Sequence, residues 1–284
     1  MLPRSFLYVP ATRPELFVKA AAGPADAVVL DLEDAVPPDG KPAAREAVRD
    51  WLTGRGDRVA TPGAQAWVRV NAGSLAADFD AVVRPGLAGL LLAECTPPVL
   101  EEAGDLLARL EAERGLAPGA VRVVGLVESA AGMLALATMA DHPRLTAFGI
   151  GEVDLLGDLR ITRGSRTEAA VTHLRTQVVL HSAAGGLTAP VAPTSTDFRD
   201  LEAFADSTRT MLELGFRSRT AIHPAQVPVI HDVLTPTDEQ VEAALDVVRR
   251  FESAAGGVTT DRSGRMVDAA VVREARETLA RHSD

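Results

Sequence analysis

Lysine is nearly absent from this chain of 284 residues: Lys19 and Lys41 stand against 27 arginines. Schiff-base aldol chemistry needs a lysine desolvated in a pocket, usually on a barrel strand. Lys19 sits in the helical pattern PELFVKAA and Lys41 follows the turn Pro37-Pro38-Asp39-Gly40, so covalent lysine chemistry is not expected. Cysteine is as scarce. The lone Cys95 permits no internal disulfide, which suits a reducing compartment. No uninterrupted apolar run approaches the ~20 residues of a membrane span, and Met1–Leu7, carrying Pro3 and Arg4, does not read as a signal peptide. A cytoplasmic protein with no membrane partner is the expectation. Basic residues number 29 against 39 acidic ones, a net charge of -10, which argues against nucleic acid because phosphate contacts need clustered Lys and Arg. An anionic small molecule remains possible, since a few local arginines suffice to bind one. A Gly-x-Ser-x-Gly elbow is missing, as is any histidine spacing of the zinc type, which removes serine-hydrolase and zinc chemistry.

What the chain does have is a repeated pattern. Six apolar runs of strand length end on a titratable side chain: VVL before Asp31, AWV before Arg69, LLLA before Glu94, VVGLV before Glu128, TAFGIG leading to Asp154, and TAI before His223. Helical patterns separate them, and strands alternating with helices imply a parallel sheet with its chemistry at the strand C-termini. The expected strands are Ser5–Val9, Ala27–Leu30, Ala66–Val70, Gly89–Leu92, Arg122–Val127, Leu145–Gly149, Leu187–Val191 and Arg219–Ile222. Helices are expected from Pro14, over Ala43–Leu52, Pro98–Arg114, Glu168–Ala183 and Leu201–Leu214, with a glycine-rich turn at Gly54–Gly63. Eight strands with intervening helices match a (β/α)8 TIM barrel. A doubly wound sheet would offer a Gly-rich turn after its first strand, but Val9 is followed by Pro10-Ala11-Thr12-Arg13.

The last fifty residues differ in character. Thr235-Pro236-Thr237-Asp238 reads as a helix start with a Thr cap, a proline at the first position and an acid in the first turn. That helix runs to Ala255 and stops at Gly256-Gly257; VTTDRSGRMVD then reads as a hairpin or loop before a final helix over Ala269–Arg281. The expected organisation is a catalytic barrel over residues 1–232 with a C-terminal helical arm or lid over 233–284.

Glu128 and Asp154 follow the fifth and sixth strands, which a barrel places side by side at one mouth. Two carboxylates with open positions suit Mg²⁺. Taken singly, each reads equally well as a solvated loop acid or a helix-start acid; Glu152 and Asp158 lie nearby and compete for the same role. Arg69 ends the third strand, where its guanidinium would clamp a substrate carboxylate bidentately. The alternative is an ion pair with Asp31, Glu33 or Asp34, and both can hold together. His223 precedes a proline in a tight turn and reads as a structural imidazole bonded to backbone.

Taken in order, a set of segments resembles the citrate lyase β-subunit (CitE-like) group of the HpcH/HpaI aldolase family. The segments are Arg4-Ser5-Phe6-Leu7-Tyr8-Val9-Pro10, Arg13-Pro14-Glu15 with Lys19, and Asp31-Leu32-Glu33-Asp34-Ala35-Val36-Pro37. They continue with Val68-Arg69-Val70-Asn71, Glu128-Ser129-Ala130-Ala131-Gly132 and Gly151 to Asp154. Asp197-Phe198-Arg199-Asp200, Ile222-His223-Pro224-Ala225-Gln226 and Met266-Val267-Asp268 complete them. The resemblance implies a Mg²⁺-dependent carbon–carbon lyase that cleaves a citryl thioester to oxaloacetate and an acetyl thioester. Malyl-CoA or citramalyl-CoA cleavage, an aldolase on free 2-oxo acids, and a binding subunit of a larger lyase complex with other citrate lyase subunits are the alternatives.

By the same resemblance Glu128 and Asp154 hold the metal, Glu128 and Arg69 contact the substrate, and Arg69 binds the carboxylate of its 2-oxo acid part. Asp268 is the base, reaching in from a neighbouring subunit of a trimer-based homo-oligomer. Arg13 and Lys19 contact coenzyme A or an acyl-carrier thioester, while Asp31, Glu33 and Asp34 orient Arg69 or metal-bound water. Three departures stand out. The family shows Pro-Lys after the fourth strand where this chain has Ala93-Glu94; its Gly-Lys before Ile-His-Pro is Ser218-Arg219 here; and the proline expected after Asp268 is replaced by Ala270.

Overall fold

Eight parallel strands close into a barrel in simple chain order: β1 (Ser5–Pro10), β2 (Ala27–Asp31), β3 (Gln65–Val70), β4 (Leu87–Leu92), β5 (Arg122–Val127), β6 (Leu145–Ile150), β7 (Val191–Ala192) and β8 (Ser218–Ala221). This is the (β/α)8 TIM barrel that the run pattern predicts. The computed structural model describes residues 2–56, 63–254 and 257–282. The chain falls into two units, one of Leu2–Ile230 and one beginning at His231.

Side chains alternate across each strand, and the barrel sorts them into two apolar layers. Phe6, Val29, Trp67, Leu91, Val124 and Ala147 fill the interior. The residues between them, such as Val28, Leu30, Val68, Leu90 and Val123, pack outward in a second cluster with the surrounding helices. Burial on both faces is why these strands read as continuous apolar runs. Trp67 is the largest interior side chain, fully buried edge-on to Phe6 at 5.1 Å. Its ring occupies the space beside Gly89, where an added Cβ would lie 2.3 Å from it.

The outer layer and connections contain α1 (Phe17–Ala21), α2 (Lys41–Gly56), α3 (Leu75–Val82), α4 (Pro97–Glu113), α5 (Ala130–Leu134), α6 (Leu136–Ala140), α7 (Glu152–Asp158), α8 (Glu168–Ala184), α9 (Leu201–Leu214) and α10 (Gln226–Leu234). In α4, Leu100, Ala103, Leu107 and Leu110 form the buried stripe that the helical period predicts. The helix expected from Pro14 instead begins as a 3-10 turn over Pro14–Leu16. The seventh strand also differs from expectation. Of Leu187–Val191 only Val191 is strand; the ladder covers Val191–Ala192, between Pro190 and Pro193, with single bonds before it from Thr188 N–H to Thr146 O and from Arg217 N–H to Pro190 O. Neither proline has an N–H to give to a ladder, so the strand is stopped on both sides.

The unit beginning at His231 contains α11 (Asp238–Ser253), a hairpin of β9 (Thr259–Thr260) with β10 (Met266–Val267), and α12 (Ala269–His282), which packs on α11. Its first helix starts two residues later than the Thr-Pro signal implies. Thr237 is the cap, in a capping box with Gln240: the Gln240 N–H donates to Thr237 Oγ1 at 3.3 Å and the Thr237 N–H to Gln240 Oε1 at 2.9 Å. Most of the expected Gly54–Gly63 turn, and residues 255–256 of the expected helix stop, lie outside the described residues.

Candidate active site at the barrel mouth

The alternation that sends Val29, Trp67 and Val124 into the barrel sends Asp31, Arg69 and Glu128 into its C-terminal mouth, two or four residues further on. Asp31 and Arg69 are register partners on β2 and β3. Arg69 Nε donates to Asp31 Oδ1 at 2.8 Å and Nη2 to Oδ2 at 2.7 Å, a bidentate pair whose acid side chain is only 6% exposed. Arg69 Nη1 lies 2.8 Å from Glu33 Oε2 and 3.4 Å from Asp34 Oδ2. The ion-pair alternative therefore holds with all three acids, and the guanidinium edge formed by Nε and Nη2 is already taken.

A second network fixes the loop that carries these acids. Lys41 Nζ donates to the carbonyls of Leu32 and Glu33 at 2.8 and 2.9 Å and to Asn71 Oδ1 at 2.6 Å. Asn71 Nδ2 donates to Leu32 O and to Asp78 Oδ2, and Asp78, fully buried, accepts from Arg45 Nε at 2.7 Å. One of the two lysines thus ties the Asp31–Asp34 loop to β3. The sequence placed Lys41 only after a turn, because its partners are 30 or more residues away or are backbone atoms.

Glu128 is 8% exposed just beyond β5. Among the described residues its one hydrogen bond comes from the Glu94 N–H, 2.8 Å from Oε2. Burial is the main force that pushes its carboxyl up to about 7; the Glu94 N–H and Arg69 oppose this, while Glu33 and Asp154 add to it. Gly151 lets Glu128 lie flat against the β6–α7 connection, since a Cβ there would sit 2.2 Å from Glu128 Cγ. Asp154 is exposed in the first turn of α7 and, like Glu128, borders two cavities. The first, about 370 Å³, reaches from Tyr8, Asp31 and Arg69 across to Thr194 and Thr220. The second, about 450 Å³, is ringed by Glu33, Asp34, Glu94, Glu128, Asp154 and Asp158.

The two competing acids line the same cavities but each has a partner of its own. Glu152 is buried in ion pairs with Arg175, at 2.7 Å, and with Arg163. Asp158 Oδ2 accepts the Ala130 N–H at 2.7 Å, at the start of α5. Among the described residues Glu128 and Asp154 form no ion pair with a cation. A buried carboxylate in that condition calls for a positive partner. Among the described residues no three His, Cys, Asp or Glu side chains form a closed cage. Two carboxylates beside an open cavity are the kind of oxygen donors that suit a hard cation such as Mg²⁺, which keeps positions for water and substrate oxygens.

The remaining predicted residues lie apart. Arg13 and Lys19 are exposed on the segment after β1, Arg13 paired with Glu15, and neither lines either cavity. His223 Nδ1 accepts the Ala225 N–H at 3.1 Å, and its ring stacks on Phe198 at 5.1 Å, the structural role expected. Cys95 is fully buried, and burial pushes its thiol up to about 12, so it is inert. In its own unit Asp268 caps α12, its Oδ1 accepting from Ala270 N at 2.9 Å and Val271 N at 3.1 Å. A proline at position 270 would have no N–H to give, so Ala270 adds a bond that the expected residue cannot make. Glu94 is exposed with φ +47°, an uncommon backbone for a non-glycine residue, which turns its N–H toward Glu128. Arg219 is buried over the Phe204 ring, 4.0 Å from its centroid.

Comparison with known proteins places this barrel. The family model for HpcH/HpaI aldolase/citrate lyase matches residues 4–224. The chain belongs to this family. It is therefore a member of a group of metal-dependent carbon–carbon lyases. It is similar to a citrate lyase subunit beta-like protein of Mycobacterium tuberculosis, 33% identical over 97% of this chain and 94% of that protein. A (3S)-malyl-CoA thioesterase of Cereibacter sphaeroides is 32% identical over 98% of this chain and 94% of its own length. A crystal structure of the M. tuberculosis protein CitE, in complex with magnesium, acetoacetate and coenzyme A, superposes with a TM-score of 0.75 at 29% identity, covering 99% of this chain and 98% of that one.

Proposed function

We propose that this family member is a Mg²⁺-dependent lyase of 3-hydroxyacyl thioesters, cleaving a citryl thioester to oxaloacetate and an acetyl thioester. One observation carries the reading: Glu128, buried and in no ion pair among the described residues, lines with Asp154 a cavity that Arg69 also lines. The magnesium and coenzyme A held by the structural relative support it.

Glu128 and Asp154 would hold the metal, which when bound lowers the pKa of a coordinated hydroxyl and stabilises developing oxyanion charge. Arg69 orients the carboxylate of the 2-oxo acid part with the donors left over from Asp31, and Glu33, Asp34 and Asp31 fix the guanidinium in turn. Asp268 of a neighbouring subunit accepts the hydroxyl proton through its carboxylate. The bond between the hydroxyl-bearing carbon and the carbon next to the thioester then breaks. Its electron pair leaves with the thioester fragment as an enolate, which is protonated, and the hydroxyl carbon becomes a ketone. Arg13 and Lys19 meet the phosphates of the thioester carrier from outside the cavity.

A malyl or citramalyl thioester is the second reading. Among the described residues lining the first cavity Arg69 is the one cation, and it is already paired, so a fragment with a single carboxylate suits the lining well. The deciding assay offers the protein citryl-, malyl- and citramalyl-CoA with Mg²⁺, with and without EDTA. EDTA-sensitive release of the matching 2-oxo acid is expected from at least one. Hydrolysis of the thioester without carbon–carbon cleavage, or no reaction with any member, would overturn the lyase reading. The trans-acting base has its own test in a trimer-based assembly. Asp268→Ala and Glu128→Ala proteins, each inactive alone, are expected to regain activity when subunits are exchanged. Equally inactive mixtures, with exchange shown by mass spectrometry, would place the base elsewhere.

A further inference from the structure

The chain contains one tyrosine, and it stands in this cavity. Tyr8 is on β1, two residues beyond Phe6 on the same interior face; its ring packs against the apolar filling of the barrel. The Arg69 guanidinium lies over it, 5.1 Å from the ring centroid. Packing accounts for the ring, since phenylalanine would fill the same space as Phe6 does one layer below. It does not account for the hydroxyl, which makes no hydrogen bond to any described residue and borders the cavity. The oxygen is not sealed from solvent, so the hydroxyl is a donor facing whatever fills the cavity, water or the acceptor of a ligand.

The donor inventory of Arg69 says what that acceptor is. A guanidinium has five N–H groups. Nε and Nη2 are committed to Asp31, and Nη1 is committed to Glu33 with a longer contact to Asp34. A carboxylate offers about four lone-pair sites, more than the remaining N–H groups can fill. Among the described residues no acid accepts from the phenol: Asp31 Oδ1 takes Arg69 Nε and the Glu33 N–H, and Asp31 Oδ2 takes Arg69 Nη2.

We propose that the Tyr8 hydroxyl donates a hydrogen bond to the same substrate carboxylate that Arg69 binds, so that Tyr8 and Arg69 together recognise the 2-oxo acid part. This rests on the lyase reading above. Burial pushes the phenol's ionisation well above its ordinary value, against the pull of Arg69, so the group stays a neutral donor across the working range.

The test uses the whole protein with Mg²⁺ and three probes: glyoxylate, pyruvate and oxaloacetate. Calorimetry is expected to show Tyr8→Phe binding its best acid roughly ten- to a hundred-fold more weakly than the wild type, the range for a hydrogen bond to a charged group. Mg²⁺ affinity without the acid and the thermal midpoint are expected to stay unchanged. Because there is only one tyrosine, ¹³Cζ-tyrosine labelling yields a single resonance, which is expected to shift when the acid is added and not when Mg²⁺ alone is added. Unchanged affinity in Tyr8→Phe with an unmoved resonance overturns the role of Tyr8 while leaving the lyase reading intact. Loss of Mg²⁺ binding in Tyr8→Phe would show a merely structural part and overturns it too. If the wild-type protein binds none of the acids with Mg²⁺, the lyase reading fails and this proposal goes with it.

Discussion

Replacing Glu128 by Gln is expected to abolish Mg²⁺ binding and lyase turnover while making the metal-free protein more stable above pH 7. The side chain is 8% exposed, and its carboxyl is pushed from the ordinary 4.5 up to about 7, mainly by burial. The sign follows from proton linkage. An acid whose folded-state pKa is raised binds its proton more tightly in the fold than in the unfolded chain, so the fold loses stability as pH rises. The penalty is absent below about pH 4.5, grows through the interval and is complete above about pH 7. At 1.36 kcal/mol per pH unit it amounts to roughly 3 kcal/mol in the absence of metal. Glutamine keeps the acceptor for the Glu94 N–H and removes the charge, so urea melts of the variant should lose less stability across this window than those of the wild type, the remaining loss coming from Glu33, whose carboxyl burial also pushes up to about 7. The same proton competes with the cation, so wild-type Mg²⁺ affinity is expected to fall about tenfold per pH unit below pH 7. Retained Mg²⁺ binding by the variant, or identical wild-type stability at pH 5 and pH 8 without metal, would refute the assignment of Glu128.

Arg69→Met is expected to cost both the substrate site and part of the fold. It removes the partner of Asp31, whose side chain is 6% exposed, and leaves Glu33 without its 2.8 Å contact. Breaking a buried ion pair from one side costs about 3–5 kcal/mol, because the other charge stays behind uncompensated. Adding Asp31→Asn to Arg69→Met removes that stranded charge. The double variant is expected to regain most of the lost stability and none of the activity, a non-additive result typical of a directly coupled pair. Chemical denaturation alongside the thioester assay separates the two effects. If the double variant were as unstable as Arg69→Met, Arg69 would be acting through packing rather than through its pair with Asp31.

Much of the barrel could be read from the chain because each strand is buried on both faces and so appears as a short, unbroken apolar run. Where that condition fails, so does the reading. The seventh strand is two residues between prolines, and a longer stretch beginning at Leu187 imitates it. The short helices α3, α5, α6 and α7 bury only a few residues each and carry no long period to detect. Asp154 was legible as an acid after the sixth run, with a helix-start acid among its readings, and it stands in the first turn of α7. The cap of α11 was misjudged by two residues because Thr235 and Thr237 are equivalent as letters; only the Gln240 side chain distinguishes them.

The amino-acid sequence by itself determined the parallel barrel, the family, and the set of charged residues at the strand ends, since period, run length and ordered motifs are local properties of the chain. Tertiary structure alone decided which of those charges are spent and which are free. It paired Arg69 with three acids, gave Glu152 and Asp158 partners of their own, and left Glu128 buried with no ion pair among the described residues. It also turned Tyr8 from one more aromatic in a strand into a donor beside Arg69 with no partner among the described residues. The physical reason is that pairing and burial depend on residues tens of positions apart, which the closing of the barrel brings within hydrogen-bonding reach.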